Sequence, residues 1–322
     1  MLLSLDIGTS HTRLARANQG VVLSEPTMVA DCPSLPIGIA VGRDVPLMQG
    51  KITAGMQLFQ PFVHGHLAAP RATTMMLRAL LKRLGRGARS IRLVVPTQTT
   101  AVEKAQLLRS VREAGATRVW VVSSSIACAH ACGVAVSRTR SAAVLDIGAS
   151  LTEIAVVSEQ IVFRRGLRLG GSDFDEAVRD ALNILAGVEV SLKVAREVKE
   201  AVGCAASPGD GPEITVTGRS RASGMPHHCT VPRATVLSCF EAPLQRLEEL
   251  LRGAFDQLSP LVCKDIQEEG LLMTGGGALL AGLPEHLEKK LGIRVRRVSD
   301  PLCCAVLGAL AVPSQLCEEI RP

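Results

Sequence analysis

Two short segments carry residue types that could hold a phosphate and its counter-ion. Asp6-Ile7-Gly8-Thr9-Ser10-His11-Thr12 recurs as Asp146-Ile147-Gly148-Ala149-Ser150-Leu151-Thr152, with Asp, Ile, Gly, Ser and Thr in register. Glycine lets the backbone turn sharply and approach a ligand closely. Successive N–H groups and the Ser and Thr hydroxyls then form an anion cradle. A carboxylate at the strand end repels phosphate, so Asp6 and Asp146 suit a water on Mg²⁺ rather than the phosphate itself. His11 could donate to a phosphate oxygen or simply cap its turn. A third cluster, Gly275-Gly276-Gly277-Ala278, follows the apolar run Leu271-Leu272-Met273. Its bare backbone suits a flat base, a ribose or an α-phosphate at a helix N-terminus, or else close strand–helix packing.

The elements that must position these residues follow from the pattern around them. Each Asp-Ile-Gly turn follows an apolar run and leads into a second strand-like stretch, then Gly20-Val21-Val22 or Gln160-Ile161-Val162. Strand, tight turn, strand is a hairpin opening each half. A repeat at so long a period marks duplicated domains rather than a solenoid. Val94-Val95, Val119-Val121-Val122 and Val144-Leu145 read as buried strands, and segments near 101–115, 173–186, 190–203 and 234–258 have helical periodicity. Alternating strands and helices predict an α/β fold.

Composition narrows the function classes. A chain of 322 residues predicts about two domains. Six Phe, one Trp and no Tyr argue against stacked-base recognition, and the net charge of +6 is scattered rather than blocked, so no nucleic-acid partner is expected. None of the ten cysteines forms a CxxC pair, which suits reduced thiols acting as small hydrophobes. His227-His228-Cys229 lacks a second ligand pair for a metal. There is no signal-peptide pattern and no apolar run long enough to span a bilayer. A cytoplasmic protein with at most peripheral membrane contact is therefore expected.

Further segments complete an ordered set. They are Gly20–Pro26, Ala40-Val41-Gly42-Arg43-Asp44, Val95-Pro96, Arg112-Glu113-Ala114-Gly115-Ala116, Leu169-Gly170-Gly171 with Phe174-Asp175-Glu176, Thr274–Leu280 and Asp300-Pro301-Leu302. In these segments and their order the chain resembles the MreB/Mbl family of bacterial actins, within the actin, sugar kinase and heat-shock chaperone superfamily. The resemblance implies an actin-like (ribonuclease H-like), duplicated two-lobe ATPase fold with a nucleotide cleft between the lobes. Lobe I would span 1–142 with an insert near 31–63, and lobe II 143–322 with an insert near 181–254. The C-terminal helix is a candidate to return to lobe I. ATP and Mg²⁺ are the implied cofactors. Asp6, Gly8, Thr9, Ser10, His11 and Thr12 would form one phosphate cradle, and Asp146, Gly148, Ala149, Ser150 and Thr152 the other. Gly275, Gly276, Gly277 and Ala278 would face adenosine, with Arg196 and Lys199 nearby.

The chain departs from the family pattern where hydrolysis would occur. Ala149, Ser150 and Leu151 stand where the family usually has Gly-Gly-Thr. Ser123-Ser124-Ser125 replaces a segment with a water-positioning Glu, leaving Thr152 as a weak catalytic candidate. Losing such a carboxylate costs roughly 10²–10⁴ in rate, so weak ATP hydrolysis is expected. The resemblance further implies head-to-tail filaments at the inner face of the plasma membrane that set cell shape with the cell-wall elongation machinery. The basic stretch Lys82–Arg92 is a solvated loop or a patch for anionic lipid. Two alternatives stay open: a nucleotide-insensitive scaffold co-assembling with an intact bacterial actin, and a small-molecule kinase of the same superfamily.

Overall fold

The computed structural model describes residues 2–31, 40–48, 56–85, 89–134, 140–202 and 213–320. Parts of both expected inserts and Arg86 of the basic stretch lie outside the described residues. The chain divides into two compact units: Met1–Val144 with Ala155–Arg164 and Leu302–Pro322, and Leu145–Ile154 with Arg165–Pro301.

The first unit is built on a six-stranded sheet. Its order is Glu318–Ile320, Arg118–Ser123, Ser90–Val95, Leu2–Ile7, His11–Arg16, Gly20–Pro26. The last three strands form an antiparallel meander, whereas Leu2–Ile7, Ser90–Val95 and Arg118–Ser123 run parallel. Parallel neighbours need crossovers, and the helices Pro70–Arg83 and Ala101–Glu113 supply them. Thr100 and Glu103 close a capping box that fixes where the second of these helices starts. Leu3, Leu5, Leu14, Met76, Leu77, Leu80, Ile91 and Leu93 are fully buried and form this core. Aliphatic side chains thus do the filling that the scarce aromatics cannot.

A five-stranded sheet repeats the plan, in the order Ile161–Leu167, Thr152–Val157, Ala142–Ile147, Leu271–Thr274, Val295–Arg297. Again three consecutive strands are followed by two that return through helices. In the second unit the helical periodicity near 234–258 resolves into two helices, Arg233–Ser238 and Glu241–Phe255. Pro243 has no N–H to donate to the Cys239 carbonyl, so the helix must restart there. Phe240 at this break packs edge-on against Phe174, with ring centroids 5.4 Å apart.

Arg92 is an unusual occupant of a buried strand. Its Nη1 donates to the carbonyls of Ala309 (2.8 Å), Leu310 (3.0 Å) and Val312 (2.7 Å), which end the helix Cys304–Ala311. Those carbonyls have no partner within the helix, and the guanidinium meets the negative end of its dipole. Arg92→Met should lower stability by about 2–3 kcal/mol, read from urea unfolding. A loss below about 0.5 kcal/mol would mean that water satisfies the carbonyls equally well.

The basic stretch Lys82–Arg92 does not act as one surface. Arg83 pairs with the buried Glu25 at 3.1 Å, Arg89 donates to the Leu81 carbonyl at 2.8 Å, and Arg92 is buried. The guanidiniums of Arg43 and Arg83, with the Arg43 N–H, hold the Glu25 carboxyl below its ordinary range against the opposing effect of burial. Three of the five basic side chains of the stretch therefore have partners inside the protein. No helix among the described residues is long and apolar enough to cross a membrane.

Candidate nucleotide-binding turns

The first turn joins strands Leu2–Ile7 and His11–Arg16, with Ile7 opposite Thr12 and Asp6 opposite Arg13. The Gly8 N–H donates to His11 O at 3.0 Å, closing the loop. Ser10 Oγ lies 2.9 Å from His11 Nδ1, and Ser10 O accepts from the Thr27 N–H at 2.9 Å. Thr9, Ser10 and His11 keep part of their surface open. Thr12 is fully buried, 2.9 Å from Thr27 Oγ1. Its hydroxyl supports the turn from beneath and is not presented to a ligand.

Asp6 is the electrostatically strained member. It is half-buried and ringed by protein atoms, and burial pushes its carboxyl up to about 6 while Arg13 pulls it down. A carboxyl held this way gains when a cation with its water shell arrives.

The second turn, between Ala142–Ile147 and Thr152–Val157, closes identically: the Gly148 N–H donates to Leu151 O at 2.8 Å. Thr152 repeats Thr12. It is fully buried and donates to Leu169 O at 2.8 Å, so its hydroxyl does not face the open side as a catalytic group would. Two further glycine segments close on this turn. The Gly171 and Ser172 N–H groups donate to Gly148 O (2.9 Å) and Ala149 O (2.7 Å). A Cβ on Gly170 would stand 2.6 Å from Ala149 C, Gly148 O and Ser150 N. A Cβ on Gly275 would stand 2.5 Å from Asp146 Oδ1, and one on Gly277 2.8 Å from Ile147 Cβ. Gly275 also has φ +81°, where a side chain is strained whatever the space. The glycines therefore pack directly on this turn, Gly170 on its main chain, Gly275 on the Ile147 main chain and the Asp146 carboxyl, and Gly277 on the Ile147 side chain and carbonyl.

The segment after Thr274 differs from the expected strand–helix junction. Gly276–Leu279 forms one 3₁₀ turn, and the α-helix starts only at Leu283, after Gly282 in the left-handed region. Three glycines have too little helix propensity to start an α-helix here. Ala278 is fully buried, while Gly276 is exposed.

Arg196 and Lys199 lie on one face of the helix Leu192–Val202 and both reach Asp175, whose side chain is buried. Arg196 Nε is 2.9 Å from Oδ2 and Lys199 Nζ 2.6 Å from Oδ1. Lys199 also donates to Gly171 O at 3.0 Å, tying this pair to the glycines behind the second turn. Asp175 is the residue that the motif pattern did not single out as a partner. Its signal was the pair of cations three residues apart, which share one helix face and can meet a single acid there.

Ser123, Ser124 and Ser125 open the helix Ser124–Ala131, where Ser123 is the N-cap. Their hydroxyls lie 3.0, 3.2 and 3.0 Å from Thr97 Oγ1, respectively. The four hydroxyls form one uncharged cluster.

The family model for the MreB/Mbl protein matches residues 1–320. The chain belongs to the MreB/Mbl family. Its relatives include the cell shape-determining protein MreB of Escherichia coli strain K12, 33% identical over 95% of this chain and 91% of that protein. The cell shape-determining protein Mbl of Bacillus subtilis strain 168 is 25% identical over 95% of this chain and 93% of its own length. Among solved structures, MreB5 of Spiroplasma citri bound to ADP superimposes with a TM-score of 0.91, covering 98% of this chain and 96% of that one, at 23% identity. The MamK double helical filament gives 0.79, covering 96% and 97%, also at 23% identity. The fold is therefore the actin-like one, in the branch of cytoskeletal proteins that determine cell shape.

Proposed function

We propose that this MreB/Mbl-family chain binds ATP with Mg²⁺, assembles head-to-tail with copies of itself and helps to set cell shape at the inner face of the plasma membrane together with the wall-synthesis machinery. The observation carrying the nucleotide reading is the pair of like turns, each closed by its Gly N–H, with Thr9, Ser10 and His11 of the first partly open. Main-chain N–H groups in such a loop suit phosphate oxygens. The solved MreB5 structures bound to ADP and to AMPPNP support the same reading.

Within it, the Gly8–His11 and Gly148–Ser150 turns hold phosphate oxygens, and Ser10 and His11 add donors. Asp6 and Asp146 orient water on Mg²⁺, which neutralises phosphate charge when bound. Thr12 and Thr152 hold the two turns in shape. Asp175, Arg196 and Lys199 brace Gly171 behind the second turn. Gly275–Gly277 approach the nucleoside. Hydrolysis is slow because the Thr97–Ser125 hydroxyl cluster offers no base, which typically costs about 10²–10⁴ in rate. Self-assembly by a head-to-tail contact gives an open polymer, and the solved MamK double helical filament supports self-assembly of this fold.

The test is light scattering of the reduced protein with and without Mg-ATP while phosphate release is followed. Scattering that needs nucleotide, with release lagging far behind, is the expected result. No scattering and no release well into the micromolar range would replace this reading with an accessory scaffold that joins an intact bacterial actin.

A further inference from the structure

In the first unit the helices Ser124–Ala131 and Cys304–Ala311 pack through small side chains. Gly308 lies against the main chain of Ala127. One turn before Gly308, Cys304 is the first residue of its helix, and Cys132 is the residue that ends the other. Their Sγ atoms are 4.0 Å apart, although 172 positions separate them in the chain. The Cys304 thiol also approaches Cys128 O at 3.8 Å. Cys304 is buried, whereas Cys132 keeps part of its surface open. A disulfide needs sulfurs about 2.05 Å apart. Each sulfur must move by about 1 Å, within reach of a side-chain torsion at two helix ends.

We propose that Cys132 and Cys304 are an oxidant-sensitive thiol pair that closes to a disulfide and fastens the C-terminal segment to the helix Ser124–Ala131. The oxidant is a peroxide. The open Cys132 thiol attacks one peroxide oxygen, the O–O bond breaks, and water leaves as Cys132 becomes a sulfenic acid. The Cys304 thiol then attacks the Cys132 sulfur, the S–O bond breaks, and a second water leaves with the Cys304 proton. Two thiols are oxidised and one peroxide is reduced to two waters. In the reduced form the C-terminal segment is held by the Arg92 hydrogen bonds, the Ser4 bond to Val306 O and the strand Glu318–Ile320 at the sheet edge. All of these can open locally. The disulfide makes that attachment covalent across a long loop, where the loss of unfolded-state entropy is large.

The test exposes the full-length, reduced protein to equimolar hydrogen peroxide, blocks the remaining thiols and maps the products by fragment-ion mass spectrometry. The expected product links Cys132 to Cys304 with loss of two hydrogens. The thermal midpoint should rise by roughly 5–10 °C and return on adding dithiothreitol. Cys132→Ser, at the more open position, should fold with its reduced midpoint nearly unchanged and show neither linkage nor rise. Cys304→Ser provides the matching variant from the other helix. Cys132 advancing to sulfinic acid with Cys304 still free would overturn the proposal, as would a linkage through Cys128 or Cys303 instead.

Discussion

Gly308→Val is expected to lower the stability of the protein by roughly 3–5 kcal/mol, a drop of about 4–7 °C in the thermal midpoint. The helix Cys304–Ala311 approaches Ser124–Ala131 so closely that a Cβ at 308 would overlap Ala127 O. It would also lie 2.7 Å from Ala127 C and 3.0 Å from Ala131 Cβ. These atoms belong to a helix backbone and to a methyl with no alternative rotamer, so the helices must separate. Separation opens the small cluster of Val94, Val122, Ala127, Ala309 and Val312 and pulls the last-turn carbonyls away from Arg92. Ala311→Ser, at an exposed site on the same helix, should leave the midpoint within about 1 °C. Circular dichroism melts of the two variants decide the point: equal midpoints would mean that the helix pair tolerates a wider spacing.

Asp6→Asn should act in opposite directions on stability and on ligand binding. The Asp6 carboxyl has a pKa of about 6 in the folded protein against 3.8 for the ordinary side chain, because burial outweighs the pull of Arg13. Between about pH 4 and pH 6 the folded chain keeps a proton that the unfolded chain has released. Stability therefore falls as pH rises through this window and levels off above it. The fall is up to about 3 kcal/mol, taking 1.36 kcal/mol per pKa unit. Asparagine removes the charge, so the variant should be more stable than the parent at pH 7 by about 2 kcal/mol and lose this component of the pH dependence. On the proposed reading it should also lose the stabilisation that Mg-ATP gives the parent, by at least about tenfold in affinity. Urea unfolding from pH 4.5 to 7.5, with and without Mg-ATP, measures both effects. A variant that is destabilised at pH 7 yet keeps full nucleotide stabilisation would remove Asp6 from the site.

The two hairpins were legible because each is local. Asp-Ile-Gly followed by Ser and Thr at fixed offsets specifies a strand end, a turn and a supporting hydroxyl within eight residues, and both copies close through the same Gly N–H bond. Thr12 and Thr152 were legible as important and not as to role. Only burial separates a hydroxyl that faces a ligand from one that holds the turn, and burial depends on what packs beneath. The stretch Lys82–Arg92 illustrates the same limit. In sequence it is one basic run, yet Glu25 and the carbonyls of Leu81, Ala309, Leu310 and Val312, up to 220 positions away, take up three of its charges.

By itself the sequence determined the duplicated α/β plan, the family and the glycine segments, since periodicity, turn chemistry and motif order are written along the chain. The tertiary structure decided which groups have partners. Asp175 occupies Arg196 and Lys199 because two helices face each other, and three glycines became essential because Ile147 and Asp146 or the Ala149 backbone lie where a Cβ would be. Cys132 and Cys304 came within 4.0 Å because Gly308 lets two helices touch. These are distances between residues remote in the chain, set by packing in three dimensions, and no local pattern encodes them.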